Sequence, residues 1–216
     1  MDDDAQKTDP PRRKQSRDAR RVQLMDATIE VLAQRGYART TLTEVANQAG
    51  LSHGLVNFHF QTKEKLLTET LLYLAEEYRQ NWLTALDLAG HSPAQQLNAL
   101  IRADFNPDIC TPAKLSAWCS FWGEAQSRPI YQERCGSNDL IYNNKIESIC
   151  ADLMEQSGIQ GDATRAGRVL RITIEGVWLD LMTMTTPYHH DEAMATVYCC
   201  ASAFFPKHFN AKGLIR

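Results

Sequence analysis

Side chains able to hydrogen-bond nucleic acid are concentrated between residues 41 and 65, in the run TLTEVANQAGLSHGLVNFHFQTKEK. Small and polar residues open its second half, which contains His53, Gly54, Leu55, Asn57 and His59. Hydroxyl, imidazole and amide groups are the ones that contact base edges and phosphates in DNA complexes. Because the major groove admits a single helix, a short helix that carries these groups predicts recognition of double-stranded DNA.

The same run contains the signals that would place those side chains on the second of two short helices. Thr41 and Glu44 fit a capping box, in which each side chain satisfies a free backbone donor at a helix start. Gly50 stands where a left-handed cap would end the first helix, and Ser52 can cap the second. The apolar residues expected to hold both helices to a core are Leu42, Val45, Ala46, Ala49, Leu51, Val56 and Phe60. An ordinary helical hairpin with a capped turn is the alternative interpretation.

Charge is distributed unevenly along the chain, although its formal net charge is only −3. Residues 10–65 carry ten Lys or Arg against five Asp or Glu, whereas residues 66–216 carry twelve against seventeen. Positive charge beside the two short helices is the distribution expected of a protein that approaches DNA phosphates. The basic stretch from Arg12 to Arg21 is expected to form an arm that contacts phosphates without reading sequence.

Length and composition are typical of a globular protein with one or two domains. The chain has 216 residues, of which 44% are apolar, and it contains no apolar run near the roughly 20 residues that span a bilayer. Its charged N-terminal segment does not resemble a secretory signal, so a cytoplasmic protein with no membrane partner is expected. The six cysteines show no CxxC spacing and are expected to be reduced, mostly buried thiols, with Cys199 and Cys200 as a candidate redox or metal pair.

Helical periodicity extends over most of the chain, so the predicted fold is all-α. Residues 1–15 are expected to be disordered, residues 16–62 to form a three-helix domain with a helix-turn-helix, and residues 63–216 to form a second helical domain. Gly36 would end the first helix, and Ser92-Pro93 and Thr111-Pro112 would each begin a later one. No segment alternates long enough to predict a strand.

The last two predicted helices, which reach Pro187 and run from about Asp191 to Phe205, are unusually apolar. Gly176 in the first of them would let another backbone approach closely. Such a pair hides its surface best against a second copy, as a two-fold four-helix bundle. A homodimer would also present two reading helices to half-sites about one DNA turn apart. Burial within a single chain is the alternative.

The run TTLTEVANQAGLSHGLVNFHFQTKEKLL, residues 40–67, resembles the helix-turn-helix of the TetR family of bacterial transcriptional repressors. The features that match are an alanine-glycine-x-serine turn and a phenylalanine-x-x-lysine exit. This resemblance implies a homodimeric repressor, with no cofactor, that binds a palindromic DNA operator. It also implies that residues 63–216 form an effector-binding and dimerisation domain for a small molecule.

The resemblance assigns DNA contacts to individual residues of the run. Thr41 and Lys63 would bind phosphates, each helped by a helix N-terminus. The residues expected at the major-groove floor are Ser52, His53, Gly54 and Leu55, while Asn57 and His59 would reach bases or the DNA backbone. Asn57 departs from the family, which usually has a tyrosine that contacts phosphate there. Asparagine can bind a phosphate or read an adenine with two hydrogen bonds, so both roles stay open.

A second resemblance covers residues 99–129, ALIRADFNPDICTPAKLSAWCSFWGEAQSRP, and residues 175–181, EGVWLDL. Both are similar to BetI-type repressors of choline-to-glycine-betaine genes, which implies an effector such as choline or betaine aldehyde; another small metabolite is the alternative. Aromatic faces attract such cations. Those expected to bind the effector are Phe105, Trp118, Phe121, Trp122, Tyr142 and Trp178, with Asp104, Glu124 or Glu175 as counter-charge.

Enzymatic function is not expected, because the sequence has no nucleotide-binding glycine loop, HExxH, GxSxG or recognisable carboxylate pair. His189-His190-Asp191 is interpreted as a polar turn that caps a helix, so no metal ligand is assigned. A metal or redox sensor that uses these histidines or Cys199 is an alternative on the same scaffold. A helical adaptor that binds only protein is another.

Overall fold

The computed structural model describes residues 16–125 and 129–215. The helices among them are α1 (Arg17–Arg39), α2 (Leu42–Ala49), α3 (His53–Phe60), α4 (Lys63–Ala89), α5 (Pro93–Asp104), α6 (Pro112–Ala125), α7 (Pro129–Ser157), α8 (Ala163–Thr183) and α9 (His190–Phe204). Two strands of two residues each, β1 (Phe209–Asn210) and β2 (Gly213–Leu214), follow α9. The all-α prediction is confirmed. The predicted disorder of residues 1–15 lies outside the described residues.

The predicted caps set the helix ends around the turn between α2 and α3. Thr41 Oγ1 accepts a hydrogen bond from Glu44 N at 3.2 Å and donates one to Glu44 Oε2 at 3.4 Å. Gly50 ends α2 with φ 65° and ψ 33°, a left-handed conformation that favours glycine. Ser52 Oγ accepts from Leu55 N at 3.3 Å and begins α3. The turn is therefore fixed from both sides.

A small apolar core holds α3 against α1, α2 and the start of α4. Its buried members are Leu24, Met25, Ala27, Val31, Val45, Ala46, Val56, Phe60 and Leu66. α1 and α4 also contribute to the larger core of the molecule, through Ile29, Leu32 and Leu67 among others. Because the two cores share two helices, a displacement of α1 or α4 changes the packing in both.

The larger core lies among α4 to α9 and the inner face of α1. α4 packs on α5, α7 on α8 and α8 on α9, while α6 lies against α1. Prolines begin α5 and α6 as predicted, and Thr111 Oγ1 accepts from Lys114 N at 3.2 Å. Ser92 makes no side-chain capping hydrogen bond. None of the described helices is both long and apolar enough to span a membrane.

Gly36 ends the regular part of α1, as predicted, because its φ of 75° and ψ of 170° interrupt the helix, and the residues up to Arg39 follow this break. Two other features differ from the predictions. α8 ends at Thr183, before Pro187. The expectation of no strand is wrong at residues 209–214, where β1 and β2 pair in antiparallel fashion. Strands of two residues are too short to produce the alternating pattern from which strands are predicted.

Candidate DNA-binding surface and ligand cavity

α3 presents an outward face that carries most of the side chains predicted to contact DNA. This reading face consists of the exposed Ser52, His53, Gly54 and Asn57, with Leu55 half-buried. Val56 and Phe60 on the opposite side are fully buried, since residues four apart share one face of a helix. A Cβ added at Gly54 would meet no atom of the described residues within 4 Å. Within the described structure, the first turn of α3 is open to an approaching surface.

Thr41 and Lys63, the predicted phosphate ligands, lie at the N-termini of α2 and α4. Thr41 is exposed, and its hydroxyl caps α2 by accepting a hydrogen bond from Glu44 N. Lys63 Nζ donates to the carbonyl oxygen of Ala38 at 2.9 Å and lies 5.6 Å from the centre of the Tyr37 ring. A lysine held at a helix N-terminus favours a bound anion, because both contribute positive potential.

His59 does not belong to the reading face, which corrects its predicted position. Its side chain is buried, with 3% exposure, and its Nδ1 has no hydrogen-bond partner among the residues that the structure describes. The ring packs beside those of Phe58 and Phe60, with centres 5.3 Å and 6.2 Å away. Burial, followed by the charges of Arg21 and Arg17, lowers the pKa of His59. The physical reason is helical spacing: position 59 is three residues after the buried Val56.

Phe58 is outward-facing, although no role was predicted for it. Its ring is 63% exposed, and the guanidinium of Arg17 lies 5.8 Å from the ring centre. An exposed aromatic ring beside Asn57 can contact a thymine methyl group, and Arg17 can contact phosphate. Helical geometry contains the signal for this, because Val56 and Phe60 face the core and position 58, midway between them, is rotated by about 200° from each.

A cavity of about 200 Å³ lies between α4, α6, α7 and α8. All four tryptophans of the chain line it together with two tyrosines; these residues are Tyr78, Trp82, Trp118, Trp122, Tyr142 and Trp178. The last four are among the side chains predicted to bind an effector. Periodicity predicts Tyr78 and Trp82 only as members of the apolar face of α4. Their place in the cavity follows from packing against α7 and α8.

The rings form a continuous cluster centred on Tyr78. The centre of the Tyr78 ring lies 6.4 Å from Trp118, 5.8 Å from Tyr142 and 5.7 Å from Trp178. Trp118 in turn stacks on Trp122, with ring centres 6.3 Å apart and planes 30° apart. Rings from four helices thus surround one space. Aromatic cages with this arrangement bind quaternary ammonium groups.

Phe105 and Phe121 do not line this cavity, which corrects their predicted position. Phe105 is buried and borders a separate groove beside α5 and α9. Successive helical side chains diverge by about 100°, so Asp104 faces the ring cluster while Phe105 faces away. Phe121 meets the ring of Tyr37 edge-on, with centres 6.1 Å apart and planes at 81°. It therefore lies on the side of α6 that packs against α1.

Asp104 is completely buried behind the ring cluster. Its Oδ1 accepts a hydrogen bond from the hydroxyl of Tyr78 at 2.6 Å, and its Oδ2 accepts one from Tyr142 at 2.7 Å. Its backbone oxygen accepts from Trp178 Nε1 at 3.1 Å. Burial raises the pKa of Asp104 to about 7, against the lowering effect of the two phenol hydrogen bonds. The carboxyl group therefore titrates near neutral pH.

We expect this carboxyl group to make the ligand-free protein less stable as the pH rises. The pKa of Asp104 is about 7 in the folded protein, whereas an unfolded Asp has a pKa of about 3.9. The folded state holds the proton more tightly, so the stabilisation is complete below about pH 4 and is lost as the pH rises through 7. Thermal unfolding between pH 5.5 and 8.5 should show a steeper fall of Tm in the wild type than in Asp104→Asn. Parallel pH profiles would contradict this expectation.

Charged side chains occupy the more exposed side of the cavity. Arg171 Nη1 donates to Glu175 Oε1 at 2.6 Å, and Arg79 makes two hydrogen bonds of 2.8 Å to Glu76. Asp139 lines the same cavity. Each arginine thus has a carboxylate partner. Asp139 and the buried Asp104 add two further acidic groups. This arrangement can bind an organic cation, because ring faces and nearby negative charge both attract it.

The described part of the chain contains no group of three or more His, Cys, Asp or Glu residues placed to hold a metal ion. His189 caps α9, and its Nδ1 accepts from Asp191 N at 3.4 Å. All six cysteines are free thiols, of which Cys199 is exposed and Cys200 is partly buried. The geometry at His189 favours a helix start over a metal site.

α8 carries an apolar stripe on its outward face. Val169, Ile172 and Leu179 are 37%, 52% and 49% exposed, and together with Gly176 they are spaced so that they share one helix face. A Cβ added at Gly176 would meet nothing within 4 Å. A groove between α8 and α9 adjoins this stripe. An exposed apolar stripe of this kind marks a surface suited to another helix.

Two protein-family models match the chain, one in each part of the fold. The model of bacterial regulatory proteins of the tetR family matches residues 24–70, which include α2 and α3. The model of the BetI-type transcriptional repressor C-terminal region matches residues 93–204. The second match extends from the beginning of α5 to the end of α9, so it includes the helices that supply three sides of the cavity.

Relatives that align with most of this chain are also BetI regulators. The HTH-type transcriptional regulator BetI of Paraburkholderia xenovorans (strain LB400) is 30% identical over 181 residues, which are 83% of this chain and 90% of that protein. The BetI regulator of Escherichia coli O139:H28 is 30% identical over 162 residues, 74% of this chain and 80% of its own length.

Solved structures share the fold at lower identity. A transcriptional regulator from Pseudomonas aeruginosa PAO1 superposes with a TM-score of 0.75 at 22% identity and covers 91% of this chain and 97% of its own. A regulator from Saccharomonospora viridis, determined in complex with choline, has a TM-score of 0.73 at 18% identity, with 92% and 100% covered. These likenesses establish the arrangement of helices.

Proposed function

Since the chain belongs to the TetR family of bacterial transcriptional regulators, and within it to the BetI type, we propose that it is a homodimeric repressor. It binds a palindromic operator and is released by a small organic cation, with choline or betaine aldehyde as the proposed effector. The observation that carries this proposal is the position of α6. This helix lines the aromatic cavity with Trp118 and Trp122 and also packs on α1 of the DNA-binding part.

Operator binding is assigned to the reading face of α3. Its exposed hydroxyl, imidazole and amide groups can hydrogen-bond base edges. Thr41 and Lys63 lie at neighbouring helix N-termini, where they can bind phosphates on either side of the groove. Phe58 and Arg17 extend the same surface toward the sugar-phosphate backbone.

Dimerisation is assigned to the stripe on α8 and the adjoining groove of α9. Its exposed apolar residues lose contact with water when two copies of the helix pair form a four-helix bundle. Gly176 lies within the stripe and leaves room for the backbone of the second copy. A two-fold dimer presents two reading faces to half-sites about one DNA turn apart.

We expect Ile172→Glu to convert the dimer into a monomer. The residue is 52% exposed at the stripe, so a carboxylate there would be buried next to its symmetry-related copy at the two-fold interface. Light scattering should give half the wild-type mass, and operator affinity should fall sharply. Leu88→Glu, at a position 81% exposed on α4, should stay dimeric. An Ile172→Glu protein of wild-type mass would place the dimer interface elsewhere.

Effector binding is assigned to the aromatic cavity. A quaternary ammonium group has no N–H to donate, so it is held by ring faces, each of which contributes about 0.5–2 kcal/mol when desolvated. The carboxyl groups of Asp139 and Glu175 line the same space. The choline complex of the Saccharomonospora viridis regulator has the same fold, which supports choline as the first ligand to test. Another small cationic metabolite is the alternative.

A chain of contacts connects the cavity to the DNA-binding part. Trp118 and Trp122 face the cavity from α6, and Phe121 on the same helix meets Tyr37 of α1. Tyr37 in turn lies 5.6 Å from Lys63 Nζ, at the start of α4. An effector that changes the position of α6 would therefore displace Tyr37 and, through it, Lys63, the proposed phosphate contact. The two reading faces of the dimer would then lose the separation that the operator requires.

The test of operator binding is its dependence on salt, measured by fluorescence anisotropy with a palindrome selected from random DNA. The logarithm of the affinity should fall by about 0.9 per phosphate neutralised for each tenfold rise in salt. Lys63→Ala removes one cation from each protomer, so the slope should decrease by about 2. Lys212→Ala, an exposed lysine near the C-terminus, should keep the wild-type slope. A wild-type slope near zero would contradict binding through phosphates.

A further inference from the structure

Within residues 16–125 and 129–215, no basic side chain hydrogen-bonds the carboxyl group of Asp104. The hydroxyls of Tyr78 on α4 and Tyr142 on α7 occupy its two oxygens. The other titratable groups whose charge acts in this cluster are the thiol of Cys110, which precedes α6, and the carboxylate of Glu175 on α8. α6 contributes tryptophan rings. The groups in direct contact with Asp104 are therefore neutral. The basic groups on the cavity wall, Arg79 and Arg171, are each hydrogen-bonded to a carboxylate, Glu76 and Glu175, and Asp139 adds a further acidic group there.

The two phenols place the negative charge behind the rings that line the cavity. Tyr78 and Tyr142 both border the cavity, while their hydroxyls point at Asp104. A cation on these ring faces would be next to the phenols that hydrogen-bond the carboxyl group. In such a buried setting opposite charges interact strongly. Without a cation, the same burial favours the protonated, neutral carboxyl group.

We propose that Asp104 exchanges its proton for the bound cation. In the empty cavity a large fraction of the molecules carry the proton near neutral pH, in keeping with a pKa of about 7. When a permanently charged cation enters, it stabilises the carboxylate, and the proton passes to water or to a buffer base. The O–H bond of the carboxyl group is the only bond that breaks. The inference rests on the proposed function, because it requires a cationic effector.

Proton exchange at Asp104 favours effectors with a permanent positive charge. It also makes the effector concentration needed for a response depend on pH. A quaternary ammonium ion keeps its charge at every pH, so its affinity should rise with pH until Asp104 is fully ionised. A neutral molecule of the same shape does not stabilise the carboxylate and should bind with little pH dependence. The regulator should then respond to less effector in an alkaline cell than in an acidic one.

The exchange can be measured on the unmodified protein, because all four tryptophans line the cavity and report its occupancy by fluorescence. Choline affinity should rise by up to about tenfold per pH unit below the midpoint and become constant above it. The neutral carbon analogue 3,3-dimethyl-1-butanol should show a flat profile. Calorimetry in two buffers of different ionisation enthalpy should find close to one proton released per choline at pH 6, and close to none above pH 8.

Three variants identify the group that titrates. Asp104→Asn should abolish both proton release and the rise of choline affinity near neutral pH. Tyr142→Phe keeps the ring but removes one hydrogen bond that lowers the pKa of Asp104, so the midpoint should move up. Glu175 raises the pKa of Asp104, so Glu175→Gln should move the midpoint down while proton release persists. If Tyr142 and Glu175 had a purely structural role, their replacement would not move the midpoint of the pH dependence in opposite directions.

The outcomes separate this inference from the function on which it rests. If choline binds with the same affinity from pH 5.5 to 8.5, or if Asp104→Asn still releases a proton, the exchange is wrong and the cationic effector stands. If neither choline nor any other quaternary ammonium ion binds at any pH, the proposed effector is wrong, and the exchange is overturned with it.

Discussion

Asn57→Ala or His53→Ala is expected to weaken operator binding by roughly 30- to 10⁴-fold. A good bidentate contact to a base contributes about 1–3 kcal/mol, and a two-fold dimer loses it at both half-sites, hence about 2–6 kcal/mol in total. Both side chains are exposed on the reading face and have no place in either core. Their removal should therefore act on DNA contacts and leave the fold unchanged.

The measurement is operator affinity by anisotropy, with choline affinity by tryptophan fluorescence as a check on the same preparation. Choline affinity should equal that of the wild type, since the cavity is lined by residues of α4, α6, α7 and α8 and not of α3. Asn144→Ala and His91→Ala are matched controls at exposed positions outside the reading face, and both should retain operator affinity. Equal losses for DNA and choline would show structural damage. Unchanged operator affinity would mean that α3 does not read the operator through these residues.

Trp122→Ala is expected to weaken choline binding by roughly 2- to 30-fold, the equivalent of about 0.5–2 kcal/mol for one cation–π contact. Trp122 is suited to this test because it lines the cavity while remaining half-buried, so its truncation leaves the deeper core intact. More choline should be needed to release DNA, and operator affinity without choline should be unchanged. The three remaining tryptophans still report binding by fluorescence.

Two controls separate the charge of the ligand from its size. Trp122→Phe keeps an aromatic face and should retain more affinity than Trp122→Leu, which keeps an apolar side chain without one. The neutral analogue 3,3-dimethyl-1-butanol should bind the wild type more weakly than choline and should distinguish these two variants little. If choline and its neutral analogue bind equally, the cavity recognises shape, and the cation assignment is wrong.

The helix-turn-helix could be predicted from the sequence because local interactions determine it. The Thr41 cap, the left-handed Gly50 and the Ser52 cap each involve residues within a few positions of one another. Prolines that begin α5 and α6 are local signals of the same kind. The hairpin of β1 and β2 was missed because two residues are too few to show the alternation of apolar and polar side chains from which strands are predicted.

The ligand cavity could be predicted only in part, because helical spacing identifies a face of a helix but not the element that packs against it. Trp118 and Phe121 are both buried on α6, yet one faces the cavity and the other faces Tyr37. Tyr78 enters the ring cluster only when α4 is packed on α7 and α8. The carboxyl group of Asp104 is linked to Tyr142 across 38 positions of sequence, a contact that no local pattern indicates.

The most direct test of the proposed function is one titration of the protein–operator complex with choline, followed by two signals. Tryptophan fluorescence reports occupancy of the cavity, and the anisotropy of labelled DNA reports release. Both signals are predicted to change over the same range of choline concentration, and both midpoints should move to higher concentration in Trp122→Ala. Fluorescence that saturates while the DNA stays bound, or DNA release without any change in fluorescence, would contradict control of the operator through this cavity.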